Sequence, residues 1–370
     1  QAGVSKRILL ALALAAARAI AAAQTAATPP QLPPLIGLEV TGSARFSSAQ
    51  LAAASGLQLH QPLSLDQLNQ AVRRLRSSGE FSRVTYRYDY TSAGTHVQFT
   101  VTDQVKFVPV EFDNFPWLPD DQLIAYLRAR LPLFTGTVPL SGGVDDRIAA
   151  QMEAWLKDHG IAGATVMGMP VQQELGGGFT GYLLSVSGVK IPVRQVAFAG
   201  APPEVAADLQ TAARDLIGSD FSRGRLSSEA TAEFLPALRK HGYLQAAIAA
   251  PAITIADAAT NAISVTYAVT PGTQYRWRTL AFAGNTVFDA KKLAGMTKFH
   301  PGDIADQPAL DQAVAAMQSL YQHDGYIEAQ VSSRFDFSQP ATAAATVTVS
   351  EGPLYHMGTL SFAGVSDKSA

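Results

Sequence analysis

Between residues 306 and 322, Leu310, Val314, Met317 and Tyr321 fall at i, i+4, i+7 and i+11, which is one apolar stripe of an amphipathic helix. Gly325 follows where a left-handed residue would end that helix. Ahead of the stripe, residues 277–283 alternate like a half-buried strand and turn at Gly284-Asn285, and 288–296 read as a short helix closed by the breaker run Phe299-His-Pro-Gly302. Behind it, 326–337 and 345–349 read as two strands. The predicted order is strand, helix, helix, strand, strand. Residues 38–41, 47–54, 64–76, 84–90 and 96–101 repeat that order, with Ser64 and Gln67 spaced as a capping box at the start of the second helix. In a third copy, Pro236 lies inside the second helical pattern and predicts a kink or a shifted start.

Two rulers measure the repeat. Gly79, Gly160, Gly242 and Gly325, each just past an apolar helical stretch, stand 81, 82 and 83 residues apart. Out of phase with them, an apolar-x-apolar-x-Gly/Asn pattern recurs at Leu38/Val40/Gly42, Val110/Phe112/Asn114, Val196/Phe198/Gly200, Leu280/Phe282/Gly284 and Leu360/Phe362/Gly364. A fixed period marks a modular array. The second copy departs most, with Asn114 in place of glycine, a lead containing Pro116 and Pro119, and Gly176-Gly-Gly178 as its final turn. Two helices covering one face of a three-stranded sheet make a two-layer α+β domain. The sequence thus predicts a tandem array of small β-α-α-β-β domains, each with two sheet edges to manage.

Composition narrows the chemistry. With no cysteine in 370 residues, there are no disulfides, thiolate nucleophiles or cysteine metal sites, so repeats of about 80 residues must rely on packing. Residues 1–27 contain no acid; Lys6 and Arg7 precede an apolar run from Ile8 to Ala17, and small residues follow Arg18, which reads as a signal peptide. The formal net charge is −2, and more negative without that leader, which excludes a nucleic-acid footprint. The Pro-rich stretch 28–34 reads as an extended spacer. Gln1 in place of an initiator methionine, and a fifth repeat start near Leu360, read as a chain cut from a longer one.

The period, the Gly-Tyr pairs Gly242-Tyr243 and Gly325-Tyr326, and the closing Val269-Thr-Pro-Gly272 and Val349-Ser-Glu-Gly352 resemble POTRA domains, the polypeptide-transport-associated repeats. These stand before the membrane barrel of outer-membrane assembly factors of the BamA and TamA kind. On that resemblance the repeats are 35–104, 105–190 (divergent), 191–274 and 275–354, with 355–370 opening a truncated fifth. The resemblance implies a non-enzymatic array without cofactor, in the periplasm and attached to the outer membrane through a barrel absent here. Its implied partners are unfolded outer-membrane protein precursors and periplasmic accessory lipoproteins, with no nucleic acid. Precursors would bind by β-augmentation, at edges expected over 245–255 (Gln245, Ala247, Ile253) and 328–337 (Glu328, Gln330, Ser332). The alternatives are a two-partner-type or TamA-like secretion component and the repeat tether of an outer-membrane lipase-like enzyme.

Other candidates have blander readings. His159, His241 and His323 sit one per repeat near the helix ends, where the dipole favours them. Asp120-Asp121 and Asp145-Asp146 fall at predicted helix starts rather than as a catalytic pair. No nucleophile-elbow, HExxH, P-loop or dinucleotide fingerprint occurs. Phe81, Tyr243 and Tyr326 read as core residues, Tyr86, Tyr88 and Tyr90 read equally as sheet packing or as a client surface, and Trp117 reads as a contact between the first two repeats.

Overall fold

The computed structural model describes residues 31–140, 143–172 and 177–358. The expected leader 1–27, Gly176 of the glycine turn and the fifth-repeat marker Leu360–Gly364 lie outside them. The chain divides after Val189 into two halves, each described by itself.

In the N-terminal half, repeat one consists of β2 (Leu35–Thr41), α1 (Ser48–Ser55), α2 (Leu65–Ser77), β4 (Phe81–Thr91) and β5 (Gly94–Asp103). A two-residue strand, β1 (Gln31–Leu32), pairs with another, β3 (Leu63–Ser64). Part of the expected spacer therefore belongs to this repeat, and the Pro33 and Pro34 carbonyls accept bonds from Thr95. Ser64 and Gln67 form the anticipated capping box, and Ser47 with Gln50 forms another at α1 that the sequence reading did not single out. Repeat two has β6 (Phe107–Phe112), α3 (Asp120–Arg130), β7 (Thr137–Pro139), α4 (Val144–Asp158), β8 (Thr165–Gln172) and β9 (Phe179–Ser187). Its β7 adds a fourth strand that the three-strand prediction lacked.

In the C-terminal half, repeat three runs β10 (Val193–Ala199), α5 (Ala206–Ala212), α6 (Arg223–Glu229), α7 (Leu235–Lys240), β11 (Ala247–Ile248), β12 (Ala252–Asp257) and β13 (Ala262–Thr270). A π-helical turn at Ala230–Phe234 joins α6 to α7 immediately before Pro236. The widened turn accommodates the ring and its missing N–H, so the anticipated disturbance is a π-bulge in a continuous helix. Repeat four runs β14 (Arg276–Ala283), α8 (Ala290–Ala294), α9 (Gln307–His323), β15 (Gln330–Asp336) and β16 (Thr342–Ser350).

All four sheets share one topology. The last strand is central, the first lies parallel to it on one side, and the strand after the second helix lies antiparallel on the other: β2-β5-β4, β7-β6-β9-β8, β10-β13-β12 and β14-β16-β15. The helices cover one face; in repeat four, Ala313, Met317 and Tyr321 of α9 meet Val331, Val347 and Val349 of the sheet. The four periodic glycines all have positive φ, from +73° to +94°. In repeats two to four the next residue bonds back five positions, as in Ile161 N–H to Leu156 O, Tyr243 to Leu238 and Tyr326 to Tyr321, the bond that closes a Schellman turn.

The second ruler has its own cause. A Cβ on Gly42, Gly200 or Gly284 would stand 2.1, 2.6 or 2.2 Å from the carbonyl oxygen of Val101, Val269 or Val349 at the end of the central strand. Asn114 performs the corresponding contact differently: its side-chain amide donates to Val186 O (2.8 Å) and accepts from Val186 N (2.6 Å). Just beyond, the Asp103 carboxylate accepts the Ala44 N–H at 2.8 Å, and Glu351 accepts those of Thr286 and Val287 at 2.6 and 2.8 Å. Repeat three has Pro271 where the acid would be, and Pro202 and Pro203 where the donors would be. The acceptor is missing where there is nothing to accept.

Candidate functional site

Two kinds of surface matter in such an array, the free sheet edges and the junctions between repeats. An edge strand leaves alternate backbone N–H and C=O groups unpaired on its outer side. Among the described residues β4, β8, β12 and β15 each pair with a neighbour on one side, and they differ as templates.

The edge of repeat three is broken. The strand expected over 245–255 is two pieces, β11 and β12, with Ile248 opposite Val269 but Ala252 opposite Thr266. One extra residue is accommodated there, and Pro251 removes an N–H, a combination that discourages strand addition. Ala247 lies exposed in β11 and Ile253 half-buried in β12, whereas Gln245 precedes both and accepts the Tyr275 hydroxyl at 2.6 Å. Tyr275 also donates its N–H to Gly242 O at 2.8 Å, and its ring lies 4.8 Å from that of Phe337. A Cβ on Gly242 would stand 2.6 Å from Tyr275 O, so glycine is needed there for close approach as well as for its φ.

The edge of repeat four is continuous but partly guarded. Gln330 and Ser332 are exposed on β15. The Val331 N–H is taken by Gln318 Oε1 of α9 at 3.2 Å, and Val166 of β8 is held likewise by Glu153 at 2.8 Å. Glu328 precedes the strand and accepts the Tyr355 hydroxyl at 2.5 Å, while Tyr355 N–H reaches Gly325 O at 2.8 Å. Tyr355 on Glu328 thus repeats Tyr275 on Gln245. Two of the six expected edge residues are junction residues, a role hidden in sequence because the tyrosines lie about 30 positions downstream.

The edge of repeat one is the longest. β4 pairs with β5 through all its length but for one irregularity near Arg83. Along it, Tyr86, Tyr88 and Tyr90 stack at 6.4 and 6.5 Å. Tyr86 packs on Phe99 and bonds Asn69 of α2, whereas Tyr88 and Tyr90 are 37% and 60% exposed. The first tyrosine is core and the other two are surface, which divides the two readings among them.

The remaining candidates are structural. His159 stacks on Trp155 at 3.8 Å and bonds its carbonyl; His241 contacts Asp208 at 3.0 Å. The Lys240 ammonium and then His241 hold the Asp208 carboxyl below its ordinary range. Among the described residues no group of three or more histidines or acids could hold a metal ion. Asp120 and Asp121 lie in the first turn of α3, and Asp145, in that of α4, accepts the Tyr182 hydroxyl at 2.5 Å. Burial, and then that bond, push the Tyr182 phenol up. Tyr243 is 8% exposed and bonds Glu204. Trp117 lies edge-on to Phe115 and packs on the core of repeat two.

The fold class is that of small α+β repeats with a parallel outer strand. Residues 275–352 match the POTRA family model, described as a surface antigen variable number repeat. The match spans repeat four, and the other three repeats share its strand order. A protein of Treponema pallidum named as a candidate outer membrane protein assembly factor is 30% identical over 90 residues, 24% of this chain; the chain covers 11% of that protein's length. Two solved structures are similar. BamA POTRA3-5 from Haemophilus influenzae is 14% identical, covering 86% of this chain and 96% of that one at a TM-score of 0.35. BamA POTRA4 from the same organism is 24% identical, covering 23% and 99% at 0.21. The family match covers residues 275–352. Among the described residues no helix is long and apolar enough to cross a membrane.

Proposed function

We propose that the chain is the periplasmic repeat array of an outer-membrane β-barrel assembly factor, a non-enzymatic station that receives unfolded precursors by strand addition and passes them to a barrel. The observation that carries this reading is the β4 edge, eleven residues long, with the exposed rings of Tyr88 and Tyr90 beside it. An extended precursor pairs with backbone groups that need no particular sequence, and alternating barrel-strand side chains meet the tyrosine rings. The edges of repeats three and four serve less well, the former for its bulge and Pro251, the latter for the Gln318 cap. These differences favour repeat one as the main site of strand addition.

Five outward hydrogen bonds at roughly 0.5 to 1.5 kcal/mol net each, set against the ordering of the client, correspond to weak and transient binding, about micromolar to millimolar. Weak capture suits a handover. The test is photo-crosslinking of an unfolded barrel precursor to a probe at Arg87 of the intact chain, with and without Tyr88→Asp and Tyr90→Asp. Crosslinking is expected to fall several-fold while circular dichroism is unchanged. Equal crosslinking in the folded double variant refutes capture at this edge.

A further inference from the structure

Repeats two, three and four place Ile161, Tyr243 and Tyr326 directly after the periodic glycine, and repeat one places Glu80 there. The position is buried at Tyr243 and half-buried at Ile161 and Tyr326, and Glu80 is 1% exposed. Neither of its carboxyl oxygens has a hydrogen-bond partner. Its nearest charge is Arg45, from the turn after β2, whose Nη2 lies 3.4 Å from Glu80 Oε2.

The second repeat faces Glu80 across a cavity. A cavity of about 160 Å³ lies between Glu80, Ser78 and Arg74 on one side and Leu131, Pro132, Phe134, Val144 and Arg147 on the other. Leu133 enters the core of repeat one beside Leu51, Leu75 and Phe81, and Arg147 Nη1 donates to Ser77 O at 2.6 Å. Arg45 itself straddles the junction. Its guanidinium reaches Thr135 Oγ1 and Thr137 Oγ1, each at 3.3 Å, and lies 3.4 Å from the ring centroid of Phe107.

We propose that the closing of repeat two on repeat one is coupled to a proton: closure buries the Glu80 carboxyl and protonates it, so that the junction is tighter in acid than in alkali. A buried carboxylate without hydrogen bonds is unfavourable, and the neutral acid is the form the closed junction tolerates. Two charged groups act on it and two more line the cavity. Arg45 from the turn favours ionisation, Asp103 at the end of β5 opposes it, and Arg74 of α2 and Arg147 of α4 share the cavity with their guanidinium bonds directed to the Ser55 and Ser77 carbonyls. Burial outweighs the rest and raises the Glu80 pKa from 4.5 to about 7. With the proton on Glu80, Arg45 keeps its contacts to Thr135, Thr137 and Phe107, so neutralisation does not unfasten it. The sign follows from linkage: closure takes up a proton, so the closed form is favoured below the ordinary carboxylate range and loses that advantage as pH rises through about 7.

The test is hydrogen exchange in the full chain over residues 131–134, corrected for the intrinsic pH dependence of exchange. In the wild type the opening equilibrium is expected to rise about thirtyfold from pH 5.5 to 8.5. Glu80→Gln should stay at the protected acid level throughout. A flat wild-type profile overturns the proposal, and so does a Glu80→Gln variant that keeps the wild-type slope. Two wild-type-based readouts remain if that variant does not fold. The Glu80 carboxyl carbon should titrate near 7 by NMR, and a value near 4.5 overturns the proposal. In the cysteine-free chain, dyes at Ala93→Cys and Asp158→Cys should report a broader distance distribution at pH 8.5 than at 5.5, and identical distributions count against it.

Discussion

Replacing Glu351 by alanine should unfasten the turn after β14 in repeat four. The carboxylate accepts the Thr286 N–H at 2.6 Å, the Val287 N–H at 2.8 Å, the Thr286 hydroxyl and, at 3.1 Å, the Tyr321 hydroxyl. Hydrogen bonds to a charged acceptor contribute about 1.5 to 3 kcal/mol each, so the two backbone bonds alone reach about 3 to 6 kcal/mol. The group is half-exposed and water replaces part of what is lost, which brings the expectation to about 2 to 3 kcal/mol. That corresponds to roughly 30- to 150-fold faster exchange at the Thr286 and Val287 amides. Burial raises the Glu351 pKa, and the Thr286 hydroxyl with the Val287 and Thr286 amides outweighs it, leaving the group below its ordinary value. The contribution is therefore present above the unfolded carboxylate range and fades as pH falls through the lower folded value. Amide exchange followed by NMR reads both effects. Repeat three supplies the control: Pro271→Glu adds the acid, but Pro202 and Pro203 have no N–H to give, so protection of the neighbouring Glu204 and Val205 amides should not change. Unaltered protection of Thr286 and Val287 in Glu351→Ala would refute the reasoning.

Gly284→Ala should destabilise repeat four by about 1 to 3 kcal/mol or more, since its Cβ would meet Val349 O at 2.2 Å with φ at +78°. Chemical denaturation followed by Trp277 fluorescence in a variant lacking Trp117 and Trp155 measures it, and a neutral outcome contradicts the close-approach account. Tyr275→Phe should loosen the junction of repeats three and four by about 1 kcal/mol through loss of the Gln245 bond, seen as faster exchange at the Tyr275 amide. Gln245→Ala should do the same, and the double variant should add little if the pair acts as one contact.

The period was legible because it records constraints that lie along the chain. A left-handed turn needs Gly79, Gly160, Gly242 and Gly325 whatever surrounds them, and the apolar stripe of α9 follows from local spacing. Asn114 looked like decay of the pattern only because a side-chain amide can do by hydrogen bonding what glycine does by clearance, and the partner at Val186 lies 72 residues away. The break in the repeat-three edge was available in Pro251, a residue ill suited to a long strand, yet its register depends on β13 opposite. The junction roles of Gln245 and Glu328 were hidden for a related reason: a polar residue after a turn reads as solvated until Tyr275 or Tyr355 returns to it.

Glu80 is the extreme case and shows what distinguishes the junctions from the repeats. Next to Gly79 an acid is unremarkable in sequence. Residues 131–134, Leu-Pro-Leu-Phe, line the cavity on its far side, and nothing in the sequence ties them to Gly79. The three sister positions hold Ile161, Tyr243 and Tyr326, so an apolar residue satisfies the fold there, and the repeat has no need of a charge. The folding requirements of one module therefore do not account for Glu80, whereas the packing of two modules against each other gives its proton a consequence.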